Sequence, residues 1–243
     1  MTKNFIIVLF VIGIILISGC AGLPEKSAKL ADPESELNTN WQPGGVAVAG
    51  TYADAEVVDI GNGRYRIYYS VEPEVPNNKL ELLSATSTDG ITWNREAGVR
   101  KEFATFPDVI KLSNGRFRLY FQNEGVIKSA ISQDGLTWIE EPGIRVDKSE
   151  SGFDIENVGA QTTMILEDGT YLMVYGGAIN KKYSQEVPNS ITAILFYATS
   201  NDGINFEKNG IALDSRNFEF NGWLNSPELI KWDDGELRLY FWS

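Results

Sequence analysis

From residue 55 onward the apolar residues come in short bursts, and a pair of turn residues splits them at regular intervals. "AEVVDIGNGRYRIYYS" begins at Ala55 and "PDVIKLSNGRFRLYFQ" at Pro107; "QTTMILEDGTYLMVYGG" begins at Gln161 and "PELIKWDDGELRLYFWS" at Pro227. The dividing pairs are Asn62-Gly63, Asn114-Gly115, Asp168-Gly169 and Asp234-Gly235. Such pairs adopt positive φ readily and predict tight hairpins. The run after each turn is rich in aromatic and apolar residues in partial alternation, the pattern of a strand. A third burst follows ("KLELLSATS", "GVIKSAIS", "AILFYATS"), then a polar box, then a short fourth strand. No long helical periodicity appears beyond the first twenty residues.

Anchored on Gly63, Gly115, Gly169 and Gly235, the units are spaced 52, 54 and 66 residues apart. The last spacing is stretched by extra residues around 181–190 and 216–223. Four antiparallel strands in about 50 residues, repeated, predict an all-β protein built as a β-propeller. An all-β sandwich is the alternative, and it leaves the regular repeat unexplained. Three whole blades and the first two strands of a fourth are present. Residues 41–53 supply at most one outer strand. An open ring exposes sheet edges and apolar faces, so the chain is expected to be a shortened form of a longer one. The alternatives are an open structure or completion by oligomerisation, and the oligomeric state is left undetermined.

The boxes read "STDGITW" from Ser87, "SQDGLTW" from Ser132 and "SNDGINF" from Ser200. They resemble the Asp-box of sialidases and other propellers. Turn chemistry accounts for them: the aspartate accepts backbone N–H bonds, the glycine takes a conformation costly for other residues, and the aromatic packs on a blade. Asp89, Asp134 and Asp202 are therefore expected to be structural. Trp93 and Trp138 belong to the boxes. Arg64, Arg66, Arg116 and Arg118 recur at matched positions and read as solvated or blade-packing residues.

The first twenty residues have a different character. Lys3 precedes an apolar run from Phe5 to Ile17, then "SGC" leads into Cys20. A positive start, an apolar core and small residues describe a secretory signal. The segment resembles a bacterial lipoprotein signal, which implies a signal peptide over 1–19, lipidation at Cys20 and an extracytoplasmic, membrane-anchored protein. An uncleaved anchor is the alternative. Residues 20–40 are polar and read as a flexible tether, and 41–243 form the propeller domain. Cys20 is the only cysteine, so core burial must hold the domain together.

Charge and composition narrow the chemistry. The formal net charge is −12 and the pI about 4.6, which argues against nucleic acid as a partner. There is no histidine, which excludes Ser-His-Asp and Cys-His nucleophile systems and a His-ligated zinc site. No cofactor or metal motif appears. Carboxylates are the expected agents.

In a propeller the ligand site is expected over the axis, lined by the first strand of each blade. There the repeat aligns Asp108 with Glu56, Thr162 and Glu228, and Pro107 with Ala55, Gln161 and Pro227. Three acids at one position repel and desolvate each other. The plainer reading has them pointing to solvent at strand ends. "YADAEVV" at Tyr52 and "FPDVIKL" at Phe106 resemble the five-bladed glycoside hydrolases of the arabinanase and β-xylosidase type. The resemblance implies hydrolysis of glycosidic bonds in a carbohydrate substrate, with Asp54 as general base and Asp108 tuning pKa and orientation. The family's acid position falls on Asn225 of "NSPEL", which is not an acid. Glu228 and Glu156 are the remaining candidates, and neither is in register. Glu56, Gln161, Trp223 and Asn225 are expected to bind substrate. Trp41 and Trp223 suit either sugar stacking or blade packing. A non-catalytic glycan-binding or scaffold lipoprotein is the alternative.

Overall fold

A computed structural model describes residues 6–10, 29–30, 44–71, 79–181, 191–216, 222–233 and 235–242. Cys20, Trp41 and Asp234 lie outside these residues. The four turn glycines all have positive φ, and a hairpin closes at each. Two N-terminal strands, β1 (Ile6–Phe10) and β2 (Lys29–Leu30), precede the repeats. Blade one contains β3 (Tyr52–Gly61), β4 (Arg64–Val71), β5 (Glu81–Ser87) and β6 (Asn94–Arg95), and β7 (Lys101–Glu102) also pairs with β5. Blade two follows with β8 (Thr105–Lys111), β9 (Phe117–Asn123), β10 (Val126–Ser132) and β11 (Ile139–Glu140). Blade three has β12 (Asn157–Ile165), β13 (Tyr171–Ile179), β14 (Thr192–Ser200) and β15 (Glu207–Leu213). The fourth sheet starts with β16 (Asn225–Lys231) and β17 (Leu237–Trp242).

The inner strands β3, β8, β12 and β16 pack side by side in that order. The predicted strands, and the three and a half blades, are all present. Residues 6–10, from the apolar run ahead of Cys20, lie antiparallel along β17, with Ile6 opposite Phe241 and Phe10 opposite Leu237. An unpaired strand edge offers a row of N–H and C=O groups, and an extended apolar segment satisfies them. Residues 44–51 form no strand. Val48 instead packs on Ile67, Tyr69 and Ala85 at the outer face of blade one. Arg95 stacks on the Tyr52 ring and donates to the Ala49 carbonyl.

Apolar side chains fill each blade interface. Tyr68, Leu82, Val109 and Leu119 join blades one and two; Tyr120, Val158, Met173 and Tyr175 join two and three. Leu172, Val174, Leu229 and Leu239 join three and four. Polar groups then fix the angle between blades. In each box the aspartate Oδ1 accepts two backbone N–H bonds of 2.7–2.9 Å. These donors hold all three carboxyls below the usual range. The boxed loop is gripped by the preceding blade. Arg66 donates to the Asp134 carbonyl at 2.8 Å, and the Tyr68 hydroxyl donates to that of Gly135 at 2.8 Å. One blade on, Arg118 donates to Asp202 O at 3.0 Å and Tyr120 to Gly203 O at 2.9 Å. Gly135 must be glycine twice over: its φ is +71°, and a Cβ there would stand 2.5 Å from both Arg66 and Tyr68.

The rest of each guanidinium forms a two-point pair with a glutamate, Arg66 with Glu96 and Arg118 with Glu141, at 2.8–3.1 Å. Ser84 and Ser129 donate to the same carboxylates at 2.7 Å. Thus Arg66 and Arg118 are buried blade-packing residues, whereas Arg64 is exposed. Removing one member of such a pair strands the other. Arg118→Leu is expected to cost about 3 kcal/mol. The double variant Arg118→Leu/Glu141→Asn recovers more than half of that in guanidinium denaturation, because no buried charge is left alone.

Candidate active site

The inner strands share a distortion that their residue types do not announce. Each breaks register with its partner at a matched point: Ala53/Glu56, Thr105/Asp108, Gly159/Thr162 and Asn225/Glu228. At each break a residue other than glycine has positive φ: Asp54 at 54°, Phe106 at 49°, Ala160 at 47° and Ser226 at 49°. These are β-bulges, which bend a strand and re-aim its side chains. A left-handed residue with a Cβ costs about 1–2 kcal/mol, so four of them at matched points are held by the surrounding sheets. Each of the four stands one residue before the aligned Ala55, Pro107, Gln161 and Pro227, but Asp, Phe, Ala and Ser carry no common signal for the conformation.

The bulged strands bring Glu56, Asp108 and Glu228 close enough for their charges to act on one another. Asp54 is half-buried on its bulge, two residues before Glu56. Asp108 is 5% exposed. Thr163 in blade three lies against its carboxyl, and Asp108 Oδ2 is buried without a hydrogen-bond donor. Burial pushes Asp108 well up, Thr163 offsets part of the rise, and the Glu228 charge adds to it. Glu56 is also well above the usual range, first through burial, then through Glu228 and Asp108. Glu228 keeps an exposed surface, yet the protein around it lifts its pKa to about 7. Three acids therefore feel one another, and full ionisation is disfavoured at neutral pH.

The other expected residues are placed as follows. Thr162 repeats the stitch between blades, its hydroxyl oxygen accepting from Leu229 N–H at 3.1 Å. Gln161 is buried, and its Nε2 donates to Phe106 O at 2.6 Å. That bond fixes the amide, and Gln161 Oε1 is left buried with no donor. Asn225 Oδ1 rests against Gly176, 2.9 Å from where a Cβ would stand. Trp223 is half-buried and packs edge-on to Trp242, with ring centres 6.3 Å apart, which is a packing role. Glu156 is exposed in the chain entering β12, and it is not among the charges acting on the three acids. Among the described residues, no group of three or more acidic or sulfur side chains has the arrangement to hold a metal ion.

Blades of four antiparallel strands, stacked side by side through their inner strands, have counterparts among solved structures. A thermostable family-43 glycoside hydrolase superposes with TM-score 0.56 at 15% identity, over 75% of this chain and 61% of that one. The fold is that of the propeller glycoside hydrolases. An endo-1,4-beta-xylanase from Bacteroides thetaiotaomicron gives TM-score 0.60 at 16% identity, covering 78% of this chain and 65% of that protein. A family 117 glycoside hydrolase of the marine bacterium Zobellia galactanivorans gives 0.52 at 19%, covering 67% and 56%. The chain thus spans less than two thirds of the length of these neighbours. No family model matches the chain, and no curated protein matches it.

The electrostatics of this propeller set a sign for stability. A carboxyl whose folded pKa is raised binds its proton more tightly in the native state. Its stabilising contribution is present below the unfolded value, 4.5 for glutamate, and is lost as pH rises through the folded one. Glu56→Gln is therefore expected to raise the melting temperature at pH 8 and to leave it nearly unchanged at pH 4, read by thermal denaturation at both.

Proposed function

We propose that this propeller hydrolyses glycosidic bonds of oligo- or polysaccharides, with Asp54 as general base and Asp108 orienting it. Glycoside hydrolysis needs one protonated carboxyl at the leaving oxygen and one ionised carboxylate opposite. Glu228 takes the acid role in place of Asn225. The observation that carries the reading is that Glu56, Asp108 and Glu228 act on one another from bulged inner strands and are all pushed up, with Asp54 on the bulge two residues before Glu56. Clustering repelling acids opposes folding, and functional sites are where such arrangements concentrate. Gln161, with its amide pinned and an acceptor to spare, is suited to a substrate hydroxyl. The neighbour that acts on β-1,4-xylan makes xylo-oligosaccharides the first substrates to try.

Glu228 as acid predicts an alkaline limb of activity near pH 7. Glu228→Gln lowers turnover about 100-fold or more on xylo-oligosaccharides. It has little effect on 2,4-dinitrophenyl glycosides, whose leaving group departs without a proton. Assays of the full chain in mild detergent measure both, and equal loss on the two substrate types removes Glu228 from the acid role. Asn225 at the family's acid position favours a second reading, a propeller that binds glycans without turning them over.

The chain is further proposed to be a lipid-anchored extracytoplasmic protein, on the strength of Lys3, the apolar run and "SGC" ahead of Cys20. Cleavage before Cys20 removes β1 and leaves β17 as an edge for another strand. Cys20→Ser is expected to shift the protein from the detergent phase to the aqueous phase in Triton X-114 partitioning and to abolish palmitate labelling.

A further inference from the structure

Blade three breaks the repeat at its outer rim. Its outer strand β15 runs seven residues, against two in β6 and in β11. The polar grip of the first two blades is replaced there as a set. Leu172 and Val174 stand where Arg66 and Tyr68 do, Tyr197 stands for Ser84, and Asn209 stands for Glu96. The matching glutamates of blades one and two are committed to buried arginines. Asn209 is exposed and lines a cleft of about 370 Å³ between loop residues 149–154 and strands β13 to β15. In a repeat protein, departures confined to one unit are where binding loops are found.

The cleft has an apolar floor and a fixed polar wall. The rings of Tyr175 and Phe196 stack at its base, with centres 5.8 Å apart and planes 20° from parallel. Lys208 Nζ donates to Ser149 Oγ and to Asp154 Oδ2, each at 2.9 Å. The Ser149 hydroxyl donates to Asp154 Oδ2 at 2.8 Å, and Asp154 is 4% exposed. The ammonium has three donors, so one remains beyond these two bonds. Asn209 Oδ1 accepts from the Thr199 hydroxyl at 2.9 Å, which orients the amide and leaves its two N–H donors. The ion pair cancels its own charge, so the wall recognises neutral polar groups. The volume lies at the small end of ligand pockets.

One end of the cleft approaches the inner strand β16. A Cβ on Gly177 would stand 2.6 Å from Asp154 and 2.7 Å from the Phe196 ring, while one on Gly176 would stand 2.9 Å from Asn225. Successive strand residues point to opposite faces, so one strand separates the cleft from Asn225 at the start of β16. We propose that this cleft is a second saccharide subsite, taking one neutral sugar ring, with its apolar face on Phe196 and its hydroxyls on Lys208 and Asn209. The proposal rests on the reading of the protein as one that engages glycans.

The test uses the full chain, with xylo-, arabino- and β-1,2-manno-tetraoses as probes, by saturation-transfer NMR and calorimetry. Ser151→Trp fills the cleft from an exposed loop position, Asn209→Ala removes donors, and Asp54→Asn/Asp108→Asn alters the axis. The expected result is a fivefold or greater loss of affinity for at least one probe in Ser151→Trp and in Asn209→Ala, at unchanged melting temperature. The same loss is expected on top of the axial substitutions. Affinity unchanged in both cleft variants but lost in the axial variant overturns the subsite and leaves the glycan reading standing. No binding of any probe to the unaltered protein overturns the glycan reading, and the subsite with it.

Discussion

Everything at the axis depends on how one blade is held against the next, and two buried guanidinium groups set that relation. Arg66 and Arg118 each reach out of the second strand, pair with a glutamate of their own blade, and donate to a box carbonyl of the following one. Tyr68 and Tyr120 reinforce the contact with a hydroxyl bond and with edge-on packing on Trp138 and Phe206. Apolar burial alone is non-directional and leaves the blades free to slide. Hydrogen bonds to carbonyls of a rigid turn fix both angle and register. The box aspartates serve this end indirectly, since they stiffen the loop whose carbonyls are gripped.

With the blades fixed, the bulged inner strands bring acids together against their mutual repulsion. The arrangement opposes stability at neutral pH, because burial and like charge both resist ionisation of Glu56, Asp108 and Glu228. Four residues with unfavourable φ add to the strain. Proteins tolerate such local conflict where a site requires it. Blade three, which lacks the arginine grip and meets blade four through leucine and valine, is also the blade whose rim opens into a cleft.

Much of this was legible in the residues. Turn pairs, alternating strands and boxes mark the blade boundaries, the repeat alignment points to Glu56, Asp108 and Glu228, and the resemblance to arabinanase-type enzymes points to Asp54. The reason is local: hairpin turns need φ > 0, and strands need apolar, β-branched or aromatic side chains, so both leave marks a few residues long. The recurrence of Arg66 and Arg118 left solvated and blade-packing roles open, and their burial decides for packing.

The sequence by itself determined an all-β repeat, the structural role of the box aspartates, and which carboxylates share a position in it. Only the tertiary structure decided that these carboxylates face one another, that the inner strands bulge beneath them, and that Asn209 borders a cleft where Glu96 and Glu141 hold ion pairs. Those outcomes join residues from 23 positions apart, as in Arg118 and Glu141, to opposite ends of the repeat, or depend on backbone conformations that ordinary side chains do not announce. They follow from packing whole sheets against each other, and no short window of sequence encodes that.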